Sequence, residues 1–404
     1  MLAGGWRMLE CTAWSVWRQD PRASPDAEER QLSELVLLTW DGGGNVAVTL
    51  AIAVALRAFG HAVTVVGPRS LQCAVEQRAV DFAELGVLPP SDPRQRLGYL
   101  VDVTQGGDGM LEELSRLGER ADALVVDCNL SWALQSRVTR RTVVLVHTAL
   151  GLYLPAWQAV LDATNAQRTV RGLGPLLPVA EAWARQDLLL VASLASFDRP
   201  LAASRLRPVY VGPVSDPRGQ QADPFSIPSA GGCPRVLISY STDPLQNSPQ
   251  RVQVALDALA DLPVAVLAST SGAFAATGLR VPPNATVLDN VPHDAVMPSV
   301  ELVVCHAGHG TTMAALTHGV PLLCVPGLGR DQQPIAARVS ELGLGIALER
   351  DASAGRIRAA ATAILDDHAY LQRARHFAQQ AGLREGAQRA AVEILAVLDQ
   401  PSHS

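Results

Sequence analysis

Charged residues are scarce in this 404-residue chain. They make up 18% of it, and no block of Lys or Arg stands out from the rest. The 33 basic and 39 acidic side chains leave a formal net charge of −6. Domains that bind nucleic acid are typically basic, with Lys and Arg clustered on one face. The composition therefore argues against a nucleic-acid partner.

Long apolar runs and paired cysteines are also lacking. No run approaches the roughly 20 apolar residues that a membrane-spanning helix needs. The six cysteines are scattered and include no CxxC pair, so neither a disulfide framework nor a cysteine metal site is indicated. We expect reduced thiols, no bound metal and a cytoplasmic location. Residues 1–33 are mostly polar after an interrupted apolar stretch, which predicts a disordered extension and not a signal peptide.

Apolar residues are plentiful, at 48%, and their pattern is that of an α/β protein. An apolar run at 35–39 leads into Asp41 and three glycines, then into a helical pattern over 46–59 and a second apolar run at 62–66. Strand, glycine turn, helix and strand make a βαβ unit, which implies a parallel sheet. The runs 123–126 and 143–146 are uniformly apolar, as strands covered on both faces are.

The chain length and one irregular segment predict two domains. Residues 215–234 are rich in Pro, Gly, Ser, Gln and Asp, so they form the expected linker. A second set of strand-like runs follows, at 235–239, 264–267, 302–305 and 322–325, and the tail from 354 to 398 is mostly helical. We expect Rossmann-like domains at 34–214 and 235–404 that face each other across a cleft, with the last helix able to pack back on the first domain.

The most informative segment is His306–Thr312, which follows a buried strand and opens a helix. Its glycines, Gly308 and Gly310, let the backbone approach a ligand. The free N–H groups of a first helical turn and the helix dipole both favour an anion. His306, Thr311 and Thr312 can add side-chain donors, so the segment can hold a diphosphate without a metal or a Lys. A short Gly-Thr motif alone is also compatible with an ordinary capped turn.

A second polar pair follows the next strand. Asp331 and Gln332 stand at a strand-to-helix turn, and their side chains suit vicinal hydroxyls because Asp accepts hydrogen bonds while Gln accepts and donates them. We expect this pair to bind a sugar.

These segments together resemble the donor-binding signature of the GT1 family of nucleotide-sugar glycosyltransferases, in the branch that modifies bacterial antibiotics. The agreement covers His306–Thr312, Ala314, Gly319–Pro321, Pro326 and Asp331–Gln332, in order and spacing. It extends to Val291–His293, to Ser239–Thr242 and to the first strand, turn and helix over Leu35–Gly60.

The resemblance implies a GT-B fold with the acceptor bound in the first half and the donor in the second. His306, Thr312 and the amides of Gly310 and Thr311 would contact the diphosphate, and Asp331 with Gln332 the sugar. Val291 would pair its backbone with the base, and Ser241 with Thr242 would reach a phosphate or the sugar. No stacking Trp identifies the base, so uridine and thymidine donors both remain open.

The chain departs from the family at the expected catalytic base. Many members carry a His on the first glycine turn, oriented by an Asp at the end of a later strand, whereas this chain has Gly43, Gly44 and Asn45 there. Asn does not accept a proton near neutral pH. Asp127 is the first substitute because it matches the orienting Asp, His147 at the end of the next strand is the second, and Asp41 is the third. Each also has an ordinary structural explanation.

Aromatic residues near these strand ends predict the acceptor wall. Trp40, Trp132, Tyr153 and Trp157 offer apolar area with a polar tip, although core packing is the better explanation for Trp132, which lies within an ordinary helical run. Gly43, Gly44 and Asn45 would line the same wall. The predicted protein is therefore a metal-independent, inverting glycosyltransferase, monomeric or homodimeric, that moves a sugar from a dTDP or UDP donor to a small hydrophobic acceptor. The alternatives are a non-catalytic protein that binds nucleotide-sugars and a nucleotide-sugar epimerase.

Overall fold

The computed structural model describes most of both predicted domains. It covers residues 33–85, 108–131, 134–135, 141–170, 172, 174–201, 205–214, 232–241, 247–381 and 385–400. Residues 1–32 of the predicted extension, residues 215–231 of the predicted linker, and the predicted site residues Trp132 and Thr242 lie outside these ranges.

The first half is built on a seven-stranded parallel sheet in the order β3-β2-β1-β4-β5-β6-β7. The strands are β1 (Glu34–Leu38), β2 (Ala62–Gly67), β3 (Asp81–Glu84), β4 (Ala123–Asp127), β5 (Thr142–Val146), β6 (Leu188–Val191) and β7 (Pro208–Tyr210).

The second half has a six-stranded parallel sheet in the order β10-β9-β8-β11-β12-β13. Its strands are β8 (Arg235–Ser239), β9 (Ala265–Ser269), β10 (Ala285–Leu288), β11 (Leu302–Cys305), β12 (Leu322–Cys324) and β13 (Gly345–Ala347). Both sheets reverse their strand order beside the first strand of the domain, and in open α/β sheets ligands bind at that point, outside the carboxyl ends of the strands.

Helices cover both sheets, as the uniformly apolar strands require. In the first half they are α1 (Gly44–Ala58), α2 (Gln72–Glu76), α3 (Asp108–Gly118), α4 (Leu150–Val170) and α5 (Val179–Ala184). In the second half they are α6 (Pro249–Leu259), α7 (His293–Val296), α8 (His309–Thr317), α9 (Gln332–Glu341), α10 (Ala354–Asp366), α11 (His368–Ala381) and α12 (Gly386–Leu398). Short 3-10 turns at Arg69–Leu71, Ala276–Gly278 and Met297–Ser299 complete the described elements.

The predicted α/β class is confirmed, and so is the first βαβ unit. The sequence pattern places the helix over 46–59, and the structure begins it two residues earlier. The N-terminal cap is Gly43, whose φ of 87° is a backbone conformation that favours glycine. Gly60, with φ 93°, ends the helix and donates its N–H to the Arg57 carbonyl.

Helix α12 crosses back from the end of the chain to the first domain. Its buried face, which includes Ala390 and Ile394, packs in the same hydrophobic cluster as β1, β2 and α1. The Arg141 guanidinium, which is buried, donates to the Val397 carbonyl at 2.7 Å and ties β5 to the end of α12. The two halves are therefore joined by the last helix. Within the described residues, no helix has the length and apolarity required to cross a membrane.

Candidate active site

Two of the predicted bases lie side by side in the first half. Strands β4 and β5 are neighbours, so the ends that carry Asp127 and His147 meet at one edge of the sheet. His147 Nδ1 lies 3.2 Å from Asp127 Oδ2, and the side chain of Asp127 is fully buried while that of His147 is 16% exposed. The second carboxylate oxygen, Oδ1, accepts the N–H of Asn129 at 2.8 Å. Asp127 is therefore enclosed, and His147 stands between it and the cleft.

The surroundings of His147 favour its charged form. Burial alone lowers the pKa of the imidazole, but the adjacent Cys128 and the Asp127 carboxylate outweigh it and raise that pKa well above its ordinary value. Burial also raises the pKa of the Cys128 thiol, although the adjacent His147 acts in the opposite direction. Because Nδ1 faces Asp127 and Cys128, Nε2 is the ring nitrogen left to face the cleft.

Asn45 does not stand free in the position of the family's usual His. It is 1% exposed, and its Nδ2 donates to the Thr39 hydroxyl at 3.0 Å and to the Trp40 carbonyl at 2.8 Å. The amide thus ties the start of α1 to the end of β1. Only Oδ1, which is buried and has no partner among the described residues, is left for another contact.

Asp41 is turned away from the Asp127–His147 pair. Its Oδ2 accepts a hydrogen bond from the Ser70 hydroxyl at 3.0 Å, on the side of β2. The side chain does not cap α1, whose cap is Gly43. This geometry favours a role in the loop over a role as a base.

The predicted aromatic wall is present in part. Tyr153 and Trp157 contact each other edge to face, with ring centroids 6.1 Å apart, and Trp40 packs against the same hydrophobic cluster. The Tyr153 hydroxyl donates to Asn129 Oδ1 at 3.1 Å. An apolar recess lies beside Trp157, lined by Cys128, Ser131 and Trp183 among others. The wall therefore adjoins the Asp127–His147 pair.

Asp127, Cys128 and His147 also form a group that sequence spacing does not predict. One donor atom from each lies within 4.8 Å of the others, a separation that a metal ion tolerates. The nitrogen involved is Nδ1, which faces the Asp127 carboxylate and, in the imidazolium, carries a proton.

In the second half, the predicted anion-binding helix begins directly after β11. Helix α8 starts at His309, with Gly308 as its cap residue, and no described side chain caps it. The first-turn amides are therefore left for a ligand. Gly310 is exposed, and a side chain there would meet no atom of the protein within 4 Å. The open space in front of the helix lies where the motif predicts the diphosphate.

His306 is positioned by the turn that leads into α8. Ala307 has φ 60°, and a side chain on Gly308 would overlap the His306 imidazole. Gly308 is thus required for the packing of the ring, whereas the sequence motif suggests only access for a ligand. Burial lowers the pKa of His306 to about 4, with Arg251 and His293 acting in the same direction, so the ring is neutral at pH 7. Its Nδ1 is buried without a partner in the described part of the chain.

The two threonines of the motif are less accessible than the motif suggests. Thr311 is 8% exposed and Thr312 is fully buried, and the Thr312 hydroxyl has no hydrogen-bond partner among the described residues. The backbone amides of the first turn, and not these hydroxyls, form the open face of the helix.

Asp331 and Gln332 have different surroundings. Asp331 is half-buried at the cap of α9, and burial raises the pKa of its carboxyl although His147 and the adjacent Thr148 lower it. Gln332 is 4% exposed, and its Oε1 accepts the Gly327 N–H at 2.6 Å. Gln332 thus shapes the loop after β12, while Asp331 faces the first domain.

The remaining donor-site candidates lie at the same edge of the second sheet. Ser241 is half-buried two residues after β8, and Val291 is buried just before α7. Near them, the Ser239 hydroxyl and His293 Nε2 are 2.8 Å apart. This contact joins the ends of the two segments to which the resemblance extends.

The two halves meet at the first residue of the donor helix, a contact that sequence reasoning missed. His309 Nε2 lies 3.0 Å from the Ser193 hydroxyl, which follows β6 in the first domain, and both side chains are buried. Burial lowers the pKa of His309 to about 3, and the positive charge on His147 acts in the same direction. His147, His309 and Asp331 therefore surround one region of the cleft, with the base candidate on one side and the donor elements on the other.

Comparison with known proteins places the second half in a family. Residues 253–396 match the EryCIII-like C-terminal domain, described as that of erythromycin biosynthesis protein CIII-like proteins. The segment contains α8, Asp331 and Gln332, the elements that the sequence predicts to bind the donor.

Curated relatives are similar over a part of their length. The chain is 33% identical over 189 residues to 4'-demethylrebeccamycin synthase of Lentzea aerocolonigenes, which is 45% of this chain and 43% of that protein. It is 30% identical over 167 residues to the NDP-glycosyltransferase YjiC of Bacillus subtilis, which is 41% of this chain and 42% of that protein. The chain thus spans less than half the length of these relatives.

Solved structures agree over almost the whole chain. The calicheamicin glycosyltransferase CalG4 has a TM-score of 0.72 at 23% identity and covers 92% of this chain and 99% of its own. The glycosyltransferase VinC, solved in complex with dTDP, has a TM-score of 0.67 at 18% identity and covers 91% of this chain and 100% of its own. The predicted fold and the resemblance drawn from the motifs are confirmed: the chain has the GT-B fold of these glycosyltransferase structures, and its residues 253–396 match the model of the EryCIII-like C-terminal domain.

Proposed function

We propose that this protein is a glycosyltransferase that uses a dTDP-sugar or a UDP-sugar as donor. It transfers the sugar to a hydroxyl of a small hydrophobic or aromatic acceptor, with inversion at the anomeric carbon. The observation that carries the proposal is the placement of the Asp127–His147 pair opposite the uncapped start of α8, with Asp331 beside His147. The similarity to the NDP-glycosyltransferase YjiC supports the same reaction class.

The geometry favours His147 as the base and Asp127 as the group that orients it. Asp127 is enclosed by Asn129 and His147 and does not reach the cleft, whereas His147 does. The arrangement is that of the family's His–Asp pair, with the His supplied by β5 and not by the start of α1. A carboxylate behind an imidazole holds it in one orientation and stabilises the imidazolium that forms.

The reaction then follows in one displacement. The acceptor oxygen attacks the anomeric carbon from the face opposite the diphosphate, and its proton passes to His147 Nε2. The bond from that carbon to the phosphate oxygen breaks, and the nucleoside diphosphate leaves with the electron pair. The first-turn amides of α8 stabilise the charge that develops on it, and Asp331 accepts hydrogen bonds from the sugar hydroxyls.

The nature of the acceptor follows from the base and the wall. Neutral imidazole is a modest base, so an acidic hydroxyl such as a phenol suits it better than an aliphatic alcohol. Tyr153 and Trp40 are partly exposed and provide aromatic surface for a planar ring, whereas Trp157 is buried behind them in the same cluster. We therefore favour phenolic acceptors.

The direct test is an assay with dTDP- and UDP-sugars and a panel of phenols. Release of nucleoside diphosphate that depends on the acceptor, with a product heavier by one sugar, supports the proposal. Binding of the nucleotide-sugar without turnover would favour the non-catalytic alternative. A changed sugar without any acceptor would favour the epimerase.

We predict that turnover survives excess EDTA, because the helix terminus can stabilise the leaving diphosphate without a metal. The measurement is kcat/KM for the same donor and acceptor before and after chelation. A complete loss that Mg²⁺ or Mn²⁺ restores would contradict this prediction. A loss that Zn²⁺ restores would assign the metal to Asp127, Cys128 and His147 instead.

We also predict that kcat/KM rises with pH through the raised pKa of His147. Below that pKa the imidazole is protonated and cannot accept a proton, so the rate falls as the pH decreases. The other groups near it are Asp127, Cys128, His309 and Asp331, of which His309 is neutral above about pH 3. A profile that is flat from pH 6 to 9, with a phenol whose own ionisation lies outside that range, would contradict this role.

A further inference from the structure

The donor half contains an arginine to which no motif draws attention. Arg251 is the third residue of α6, and its guanidinium carbon lies 5.0 Å from the centroid of the Tyr240 ring. Its Nη2 donates to the Val325 carbonyl at 2.7 Å and to the Pro326 carbonyl at 3.3 Å. The side chain is thus held by an aromatic face on one side and by two carbonyls on the other.

These contacts place the guanidinium over the strand end that carries His306. Tyr240 directly follows β8 and Val325 directly follows β12, and β11 lies between these two strands in the sheet. A group that contacts both flanking strand ends therefore crosses the end of β11, where His306 is the first residue. The effect of Arg251 on the pKa of His306 is consistent with this proximity.

No described residue supplies a counter-ion for Arg251. Among the described residues, no carboxylate lies within ion-pair distance of it, and its buried Nε has no hydrogen-bond partner. Burial lowers the pKa of the guanidinium, which reflects the free energy of holding a charge away from water. A half-buried cation that is fixed in place, with no counter-ion in the part of the chain that the structure describes, is suited to an anionic ligand.

We propose that Arg251 supplies the fixed positive charge that binds the donor diphosphate and stabilises it as it leaves. The assignment rests on the proposed function, and it adds a cation to a site for which the sequence motif offers only backbone amides and a neutral His306. The open face of α8 and the guanidinium would approach the phosphates from two sides. A guanidinium matches phosphate oxygens in geometry and stays charged at every physiological pH.

The test compares ligands that differ only in their phosphates. We would measure the affinity of the whole chain for thymidine and dTDP, and for uridine and UDP, by calorimetry at low salt. In Arg251→Met, which keeps most of the side-chain volume, we expect the affinity for the diphosphate to fall about tenfold or more, as for the loss of a hydrogen-bonded charge, and that for the nucleoside to stay unchanged. Arg251→Lys should recover a part of the loss, because it restores the charge but not the fork.

A matched control is Arg358→Met, which removes a surface arginine of the same domain that contacts Asp261 and the Asp257 carbonyl. This variant should bind both ligands as the wild type does. Equal losses for nucleoside and diphosphate in Arg251→Met, or no loss for either, would overturn the assignment and leave the proposed function standing. If the wild type binds neither dTDP nor UDP, the proposed function fails and the assignment fails with it.

Discussion

Replacing His147 with alanine should lower kcat by about 10²- to 10⁴-fold, the usual contribution of a positioned general base. The reason is geometric, because His147 is the group of the Asp127–His147 pair that reaches the cleft. The affinity for dTDP or UDP should be unchanged, because the donor helix belongs to the other domain. The measurements are single-turnover rates with a phenolic acceptor and nucleotide binding by calorimetry.

Asp127→Asn is the matched control for that experiment. It keeps the Oδ1 that accepts the Asn129 N–H but removes the charge beside His147. We expect a smaller loss of kcat, together with a shift of the pH profile to lower pH, because the carboxylate raises the pKa of the imidazole. If Asp127→Asn is inactive while His147→Ala keeps full turnover, the base is Asp127 and the roles of the two residues must be exchanged.

The proximity of Asp127 and His147 could be predicted from the sequence, but their relative exposure to the cleft could not. Asp127 and His147 follow two uniformly apolar runs, and parallel strands deliver their ends to the same edge of a sheet. Which of the two faces the cleft depends on side-chain burial, and the residue pattern, which ranks Asp127 before His147 as the base, does not show that burial. The Asp127 carboxylate is enclosed by the Asn129 amide and by His147, and both contacts form only when the chain folds.

The donor motif illustrates the same limit. Its residues were predicted as ligand contacts, yet Gly308 makes room for His306, Thr312 is buried against Cys305 and Gln332 holds the loop after β12. A motif records that residues occur together, and it does not separate those that contact a ligand from those that shape the turn. His309 lies within the matched segments, and Arg251 lies near them. Each becomes a functional candidate only through its contacts in the folded structure. His309 contacts Ser193, and Arg251 contacts Tyr240 and Val325.

Elements with long apolar runs were predicted well, and short or less regular ones were not. The strands at 235–239 and 302–305 have the predicted bounds, because the apolar residues 236–238 and 302–305 are bounded by polar residues on both sides. Strands β3 and β10 have partly exposed residues throughout and no clear apolar run, since they lie at the edges of their sheets. Their strand conformation depends on pairing with β2 and β9.

Replacing His306 with alanine should lower kcat/KM by at least about tenfold, which corresponds to about 1.4 kcal/mol of transition-state stabilisation. The imidazole follows β11 directly and lies against Gly308 at the start of α8, with Nδ1 buried and unpartnered among the described residues. Because burial, Arg251 and His293 lower its pKa to about 4, the neutral ring acts as a hydrogen-bonding group, and its contribution should not change between pH 6 and 9. This separates it from His147, whose removal should abolish the pH dependence of the rate.

We would compare His306→Ala with His306→Asn, which retains a short side-chain donor, and measure kcat/KM over that pH range together with the affinity for dTDP and thymidine. Loss of turnover and of affinity for the diphosphate in His306→Ala, with thymidine binding kept and partial recovery in His306→Asn, is the expected result. Unchanged turnover and unchanged affinity in His306→Ala would remove this residue from the diphosphate site.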